Sequence, residues 1–473
     1  MSDRSWRELK ILTALIIASL FLSGAAFYNG YPLVYPDTGG YISWQNLSFR
    51  SFFYDLFIYP SLWFHSLWLI VFVQSLIVAH LLRLTLRIVF RITSIIAYLA
   101  MIVLLCLLTN LPWFAGFIMP DIFTGVMILS LYLLIFCRET LVLSERRYLF
   151  LLTVLCATVH LSHIPLAAGI IGISWFFRVM IKNNSRLPFP HLLGASFAIL
   201  LAFILIIANN YRTYSAFTFS RDGYAFLLAR FVADGEAVKY LKESCPERKY
   251  KLCAYIDQFS ANSDMFLWSA ESPFRKVGWI NGYRQEGKDI VKNTILDHPF
   301  SVIKNSLKNS VLQLPMINNV YGICSYIDKP YPTDDIRKYY PYDFHAYATS
   351  RQSLNQLSLN TFNRLHRMII CFSLLITVVV FFIYLKHKQY LPLLLLISIV
   401  CAYVLSSFIT GALSGPNNRY GSRIVWLLPF FSFASLIHFI NFWKEYFWRS
   451  PRKAMPEYGI KTIFTGSTFR KNC

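Results

Sequence analysis

The 473-residue chain is 56% hydrophobic and only 15% charged, against roughly a quarter charged in soluble domains. One water-soluble core is therefore excluded as the place where its apolar residues are hidden. Its net charge of +21 does not point to a nucleic acid partner. The basic residues fall mostly in short segments between apolar runs and at the C-terminus, the distribution of a membrane protein with positively charged cytoplasmic loops.

About twenty apolar residues are needed to cross a bilayer as a helix. In chain order, runs near that length occupy about 9–28, 62–82, 92–112, 121–137, 148–162, 165–181, 190–209, 367–385, 390–411 and 424–443. The sequence thus predicts an all-α polytopic membrane protein with about ten transmembrane helices. The divisions are 1–209 (about seven helices), an inserted segment 210–366, helices in 367–443, and a basic tail 444–473. The basic stretch before the first run could pass for a signal peptide, but the run is long enough to span and nine more follow, so it reads as an uncleaved first helix.

Orientation follows from Lys and Arg in the short loops. Arg4, Arg7 and Lys10, then Arg83, Arg87 and Arg91, then Arg138, Arg146 and Arg147, then Arg178, Lys182 and Arg186, then Lys386 and Lys388, and finally the tail with Arg452, Lys453 and Lys461 occupy alternate connections. Both termini are therefore expected in the cytoplasm and 210–366 outside. Arg50, Arg419 and Arg423 break the pattern on the opposite face, which marks them for function.

The 210–366 segment is expected to be a small mixed or mainly helical domain. Ala225–Leu241 and Pro299–Leu312 carry helical periodicity, and 313–350, rich in Tyr, Pro and Asp, reads as structured loop. Cys245 and Cys253 would close a short loop in an oxidising compartment. Most other cysteines read as packing residues inside apolar runs.

Polar residues concentrate in the outward loops. The first contains Tyr35-Pro36-Asp37-Thr38-Gly39-Gly40-Tyr41 and then Trp44. A carboxylate so close to lipid is a functional candidate, and Tyr41 and Trp44 are suited to stacking on a sugar; the bland alternative for Asp37 is a Pro-Asp turn. The second ends Met119-Pro120-Asp121, where Asp121 would cap the next helix unless it shares a site with Asp37. The third holds His160-Leu161-Ser162-His163, two imidazoles three residues apart that could share a helix face as phosphate or metal ligands. The last reads Ser414-Gly415-Pro416-Asn417-Asn418-Arg419-Tyr420-Gly421-Ser422-Arg423, with two arginines matched to phosphate at a helix start. This inventory suits an enzyme acting on a membrane-borne phosphate.

The arrangement resembles the multi-span glycosyltransferase C superfamily. The resemblance rests on Asp37 in the first outward loop, Asp121 in the second, and Arg419-Tyr420 before a late helix containing Pro429. It covers about 1–210 and 367–443. It implies inverting transfer of a sugar from a polyprenyl-phosphate lipid to a glycan, lipid or protein acceptor at the outer face of a bacterial inner membrane. Asp37 would be the general base, and Asp121 its assistant or the ligand of a divalent cation, the one cofactor left open. Arg419, Arg423, His163 and His160 would hold the lipid phosphate, and Tyr41, Trp44 and Tyr420 the sugar or acceptor. The chain departs from the family where Thr38, not a second acid, follows Asp37, and in placing its large polar segment between the seventh and eighth runs. A transporter or flippase would need ionisable groups near the bilayer midplane and repeated halves. A noncatalytic scaffold would leave the Asp37 and Arg419 loops without a role.

Overall fold

A computed structural model of the protein describes residues 3–181, 187–318 and 323–449. Lys182, Arg186 and the tail from 450 onward, with Arg452, Lys453 and Lys461, lie outside the described residues. Within them the chain is helical, with no strand; the only β-type pairing is an isolated parallel bridge between Leu33 and Phe117.

Among the described residues six helices are long and apolar enough to cross a membrane, and these account for six of the ten expected runs: Trp68–Val89, His163–Met180, Leu192–Tyr214, Asn360–Lys386, Tyr390–Leu413 and Asn418–Ile440. The other four runs are helical but fall short for identifiable reasons. Ile95–Leu108 has 14 residues and Ile122–Phe136 has 15, about 21–23 Å at the α-helical rise, below the roughly 30 Å of a hydrocarbon core. The first turns of Leu143–Val159 include Glu145, Arg146 and Arg147. Asp3–Leu22 carries Arg7, Glu8 and Lys10 in its first half. Ile122–Phe136 is buried along its whole length, so its neighbours, not lipid, surround it.

Two hydrophobic cores form. The larger joins the apolar helices and takes in Tyr326, Ile336, Tyr340, Tyr347 and Leu359. The smaller is built from Tyr224 through Val291. The 210–366 segment therefore contributes to both cores. The expected helix Ala225–Leu241 is two helices, Tyr224–Asp234 and Glu236–Arg248, broken at Gly235, whose φ of 93° favours glycine. Pro299–Gln313 is helical as expected. The stretch read as loop contains Pro330–Tyr339 and Phe344–Ala348. Cys245 and Cys253 are joined in a disulfide.

The segments around Asp37 and Asp121 are laced together. Leu33 donates its N–H to the Gly116 carbonyl and accepts one from Ile118, both at 2.9 Å. Thr38 accepts from the Tyr35 N–H at 2.9 Å, and its hydroxyl donates to the Ile118 carbonyl at 3.1 Å. The Gln352 side chain clamps Val34 from the other side by accepting its N–H and donating to its carbonyl. These bonds hold the Asp37 and Asp121 segments side by side.

Candidate functional site

Asp37 does not sit in a turn. It lies in the first turn of a short helix, Pro36–Ile42, with Pro36 at the start, where a missing N–H costs nothing. Gly39 and Gly40 serve close packing rather than bending. A Cβ on Gly39 would stand 2.5 Å from an Asp335 carboxylate oxygen and 3.2 Å from the Pro332 backbone, and one on Gly40 would stand 2.6 Å from Arg50 Nη1. Asp121 occupies the cap position of Ile122–Phe136 yet makes no capping hydrogen bond. Its carboxylate is engaged elsewhere.

Both carboxylates meet the arginines of Asn418–Val425. Asn417 starts that helix by accepting the Arg419 N–H at 2.9 Å, and the Asn110 amide anchors it by donating to the Ser422 carbonyl at 2.6 Å. Gly125 lets the Trp426 indole press onto the Asp121 helix, since a Cβ there would fall 2.5 Å from the ring. Arg419 then donates from Nη2 to Asp121 Oδ2 at 2.7 Å, from Nε to both Asp121 oxygens at 3.1 Å, and from Nη1 to Asp37 Oδ2 at 3.1 Å. Its guanidinium lies 4.6 Å from the centre of the Tyr35 ring, within cation–π range. Arg423 donates to Asp121 Oδ1 at 3.4 Å, and its buried Nε has no partner among the described residues. Arg50 donates to the Asp37 carbonyl at 2.8 Å and to its carboxylate.

The three arginines that broke the positive-inside pattern thus meet the two Pro-Asp acids. Three guanidinium groups against two carboxylates leave the cluster with one excess positive charge (3 − 2 = +1). Asp121 and Arg419 also line a cavity of about 20 Å³ with Tyr35, Asn318 and Ser422, and Asn318 Oδ1 is buried without a partner among the described residues. Asp37 is not in that lining; Arg419 connects it to the cavity.

The histidines do not share a helix face. His160 caps the end of Leu143–Val159 and His163 opens His163–Met180, although their rings lie 5.1 Å apart. His163 is satisfied at both nitrogens: Nδ1–H donates to the Cys156 carbonyl at 2.6 Å and Nε2 pairs with the Thr124 hydroxyl at 2.8 Å. It is a bridge between helices rather than a phosphate ligand. His160 uses Nδ1 to accept the Ser162 N–H, which directs the proton of the neutral ring to Nε2, and it stands close enough to Asp121 and Arg423 to feel their charge.

The aromatic expectations divide similarly. Tyr41 is buried edge-on against Tyr54 and offers no free face to a sugar, whereas Trp44 is half-buried and packs against Phe52 and Tyr59. Tyr420 does line open space, a polar cleft of about 280 Å³ with Arg230, Asn262, Ser263 and Asn418. A divalent cation fits poorly at Asp121, because arginines hold both its oxygens. No group of three or more acidic, His or Cys side chains with metal-binding geometry occurs among the described residues.

Sequence reading flagged Arg50 by its charge but assigned it no role. It missed Asp55, which is 3% exposed on the helix Phe52–Ile58, where burial pushes its carboxyl up to about 8. No local pattern distinguishes Asp55, because its isolation from water is produced by distant segments. Asn318 is likewise unmarked in sequence. Compared with protein-family models, curated proteins and solved structures, the chain matches none of them.

Proposed function

We propose that the chain is a membrane glycosyltransferase. It moves a sugar from a polyprenyl-phosphate-type donor to a glycan, lipid or protein acceptor on the outer face of a bacterial inner membrane, with both termini cytoplasmic. The observation that carries this reading is the largely buried cluster in which Arg419 joins the partly exposed Asp37 to Asp121 with one positive charge in excess. Burial of charge at this density is costly unless it serves a ligand or mechanism. The Cys245–Cys253 disulfide is in keeping with an extracytoplasmic 210–366 segment.

In the proposed reaction Asp37 accepts the proton of an acceptor hydroxyl as that oxygen bonds to the anomeric carbon. The bond from that carbon to the phosphate oxygen breaks, and the leaving phosphate keeps the electron pair. Loss of the sugar adds one negative charge to the lipid phosphate, which the excess charge of Arg50, Arg419 and Arg423 stabilises. Arg419 must loosen its hold on a carboxylate to meet the phosphate, since its donors are already occupied. Tyr420 and the polar cleft beside it are available to the acceptor. Transport is less well supported, because the charged cluster is gathered from loop segments and helix ends.

Asp37→Asn tests the reading, because it keeps the size of the side chain and removes its basicity. Transfer should fall about a hundredfold to ten-thousandfold, with donor binding and folding retained. Turnover near the wild-type rate would remove Asp37 as the base. Reporter fusions after Lys249 and at the C-terminus should give opposite compartment signals; matching signals would overturn the orientation.

A further inference from the structure

The helix Pro299–Gln313 is inside-out by the standard of a soluble protein. Its polar residues at four-residue spacing turn inward. Asn305 donates to Glu236, Asn309 donates to Asp234 at 2.8 Å, and Gln313 both accepts the Asn417 N–H at 2.7 Å and donates to the Asn417 carbonyl at 2.9 Å. The opposite stripe is apolar and uncovered: Phe300 is 86% exposed, Ile303 57%, Leu307 54% and Val311 64%. At 100° per residue these four positions, with Leu314, fall within about 80° of one another, a single face. Soluble surfaces rarely leave so continuous an apolar patch in water.

The neighbouring element indicates what covers it. Asn309 lies against Gly411, and the Tyr403 hydroxyl donates to the Leu314 carbonyl at 2.7 Å. The helix therefore runs antiparallel along the last turns of the membrane-crossing helix Tyr390–Leu413. On that helix Val400, Val404 and Phe408 are exposed as well, so the element beside the stripe presents apolar side chains too. Lys304 and Lys308 follow one edge of the stripe, within reach of anionic headgroups.

We infer that Pro299–Gln313 is a lipid-embedded helix, its Phe300–Ile303–Leu307–Val311 face among acyl chains and Lys304 and Lys308 at phospholipid phosphates. The surrounding lipid then reaches beside the Arg419 site, because Gln313 is bonded to Asn417 at the start of the arginine helix. The inference does not depend on the transfer reaction.

The test uses the full chain in phospholipid nanodiscs. Ile303→Cys, Leu307→Cys and Val311→Cys are labelled with a charged maleimide, and each cysteine is followed by peptide mass spectrometry. Exposed native Cys324 is the internal control for folding and water access. Labelling at the three positions should be at least tenfold slower than at Cys324, and a benzophenone amino acid at Leu307 should photo-crosslink to phospholipid. Labelling as fast as at Cys324 would place the face in water and overturn the inference. Slow labelling with crosslinks between two copies of the chain would also overturn it, by assigning the face to a dimer.

Discussion

Replacing Asp121 by Asn should be the most damaging single charge change in the cluster. It leaves three guanidinium groups facing one carboxylate, and that one, Asp37, is already shared by Arg50 and Arg419. Arg423 is 1% exposed and loses its only anionic partner among the described residues. An uncompensated buried charge costs about 3–5 kcal/mol. Arg419→Ala, by contrast, leaves two matched pairs, Asp37 with Arg50 and Asp121 with Arg423, so its cost is nearer the about 1–3 kcal/mol of lost charged hydrogen bonds. Asp37→Asn should also cost less than Asp121→Asn, because Asp37 keeps some contact with water. Unfolding in detergent, followed by tryptophan fluorescence, would order the variants. Adding Arg423→Met to Asp121→Asn removes the orphaned charge at similar volume and should recover part of the lost stability. Equal destabilisation by Asp37→Asn and Asp121→Asn, or no recovery in the double variant, would refute the charge accounting.

Arg419→Lys should weaken donor binding less than Arg419→Ala, because the charge survives while the forked geometry is lost; donor affinity unchanged in the alanine variant would move the phosphate site. Gly40→Ala should leave the protein folded but reduce transfer, since the added methyl pushes the flexible end of Arg50 away from Asp37. Gly421→Ala meets the Met316 backbone carbonyl instead and should lower the unfolding temperature. Burial raises the Asp55 carboxyl to about 8 from its ordinary 3.8, so the unfolded chain loses this proton first. The contribution of Asp55 to stability should be full below about pH 4 and be lost as pH rises through about 8. Asp55→Asn should flatten that decline in a pH series of melting curves.

Much of the membrane character was legible from composition and from the length of apolar runs, because lipid imposes a nearly one-dimensional constraint on a helix. The positive-inside rule singled out Arg50, Arg419 and Arg423 for the same reason: a charge in the wrong loop is visible without knowing its partners. Only the tertiary structure decided that these arginines meet Asp37 and Asp121, since Asp37 and Arg419 are 382 residues apart and nothing in either loop names the other. It also decided the roles of residues whose chemistry is ambiguous in isolation. His163 became a bridge and Tyr41 a packed ring because their neighbours consumed their polar atoms and faces. Helix count fell between the two kinds of knowledge: periodicity located the helices. Their depth and surroundings, as for Ile122–Phe136 enclosed on every side, depended on how the whole bundle packed.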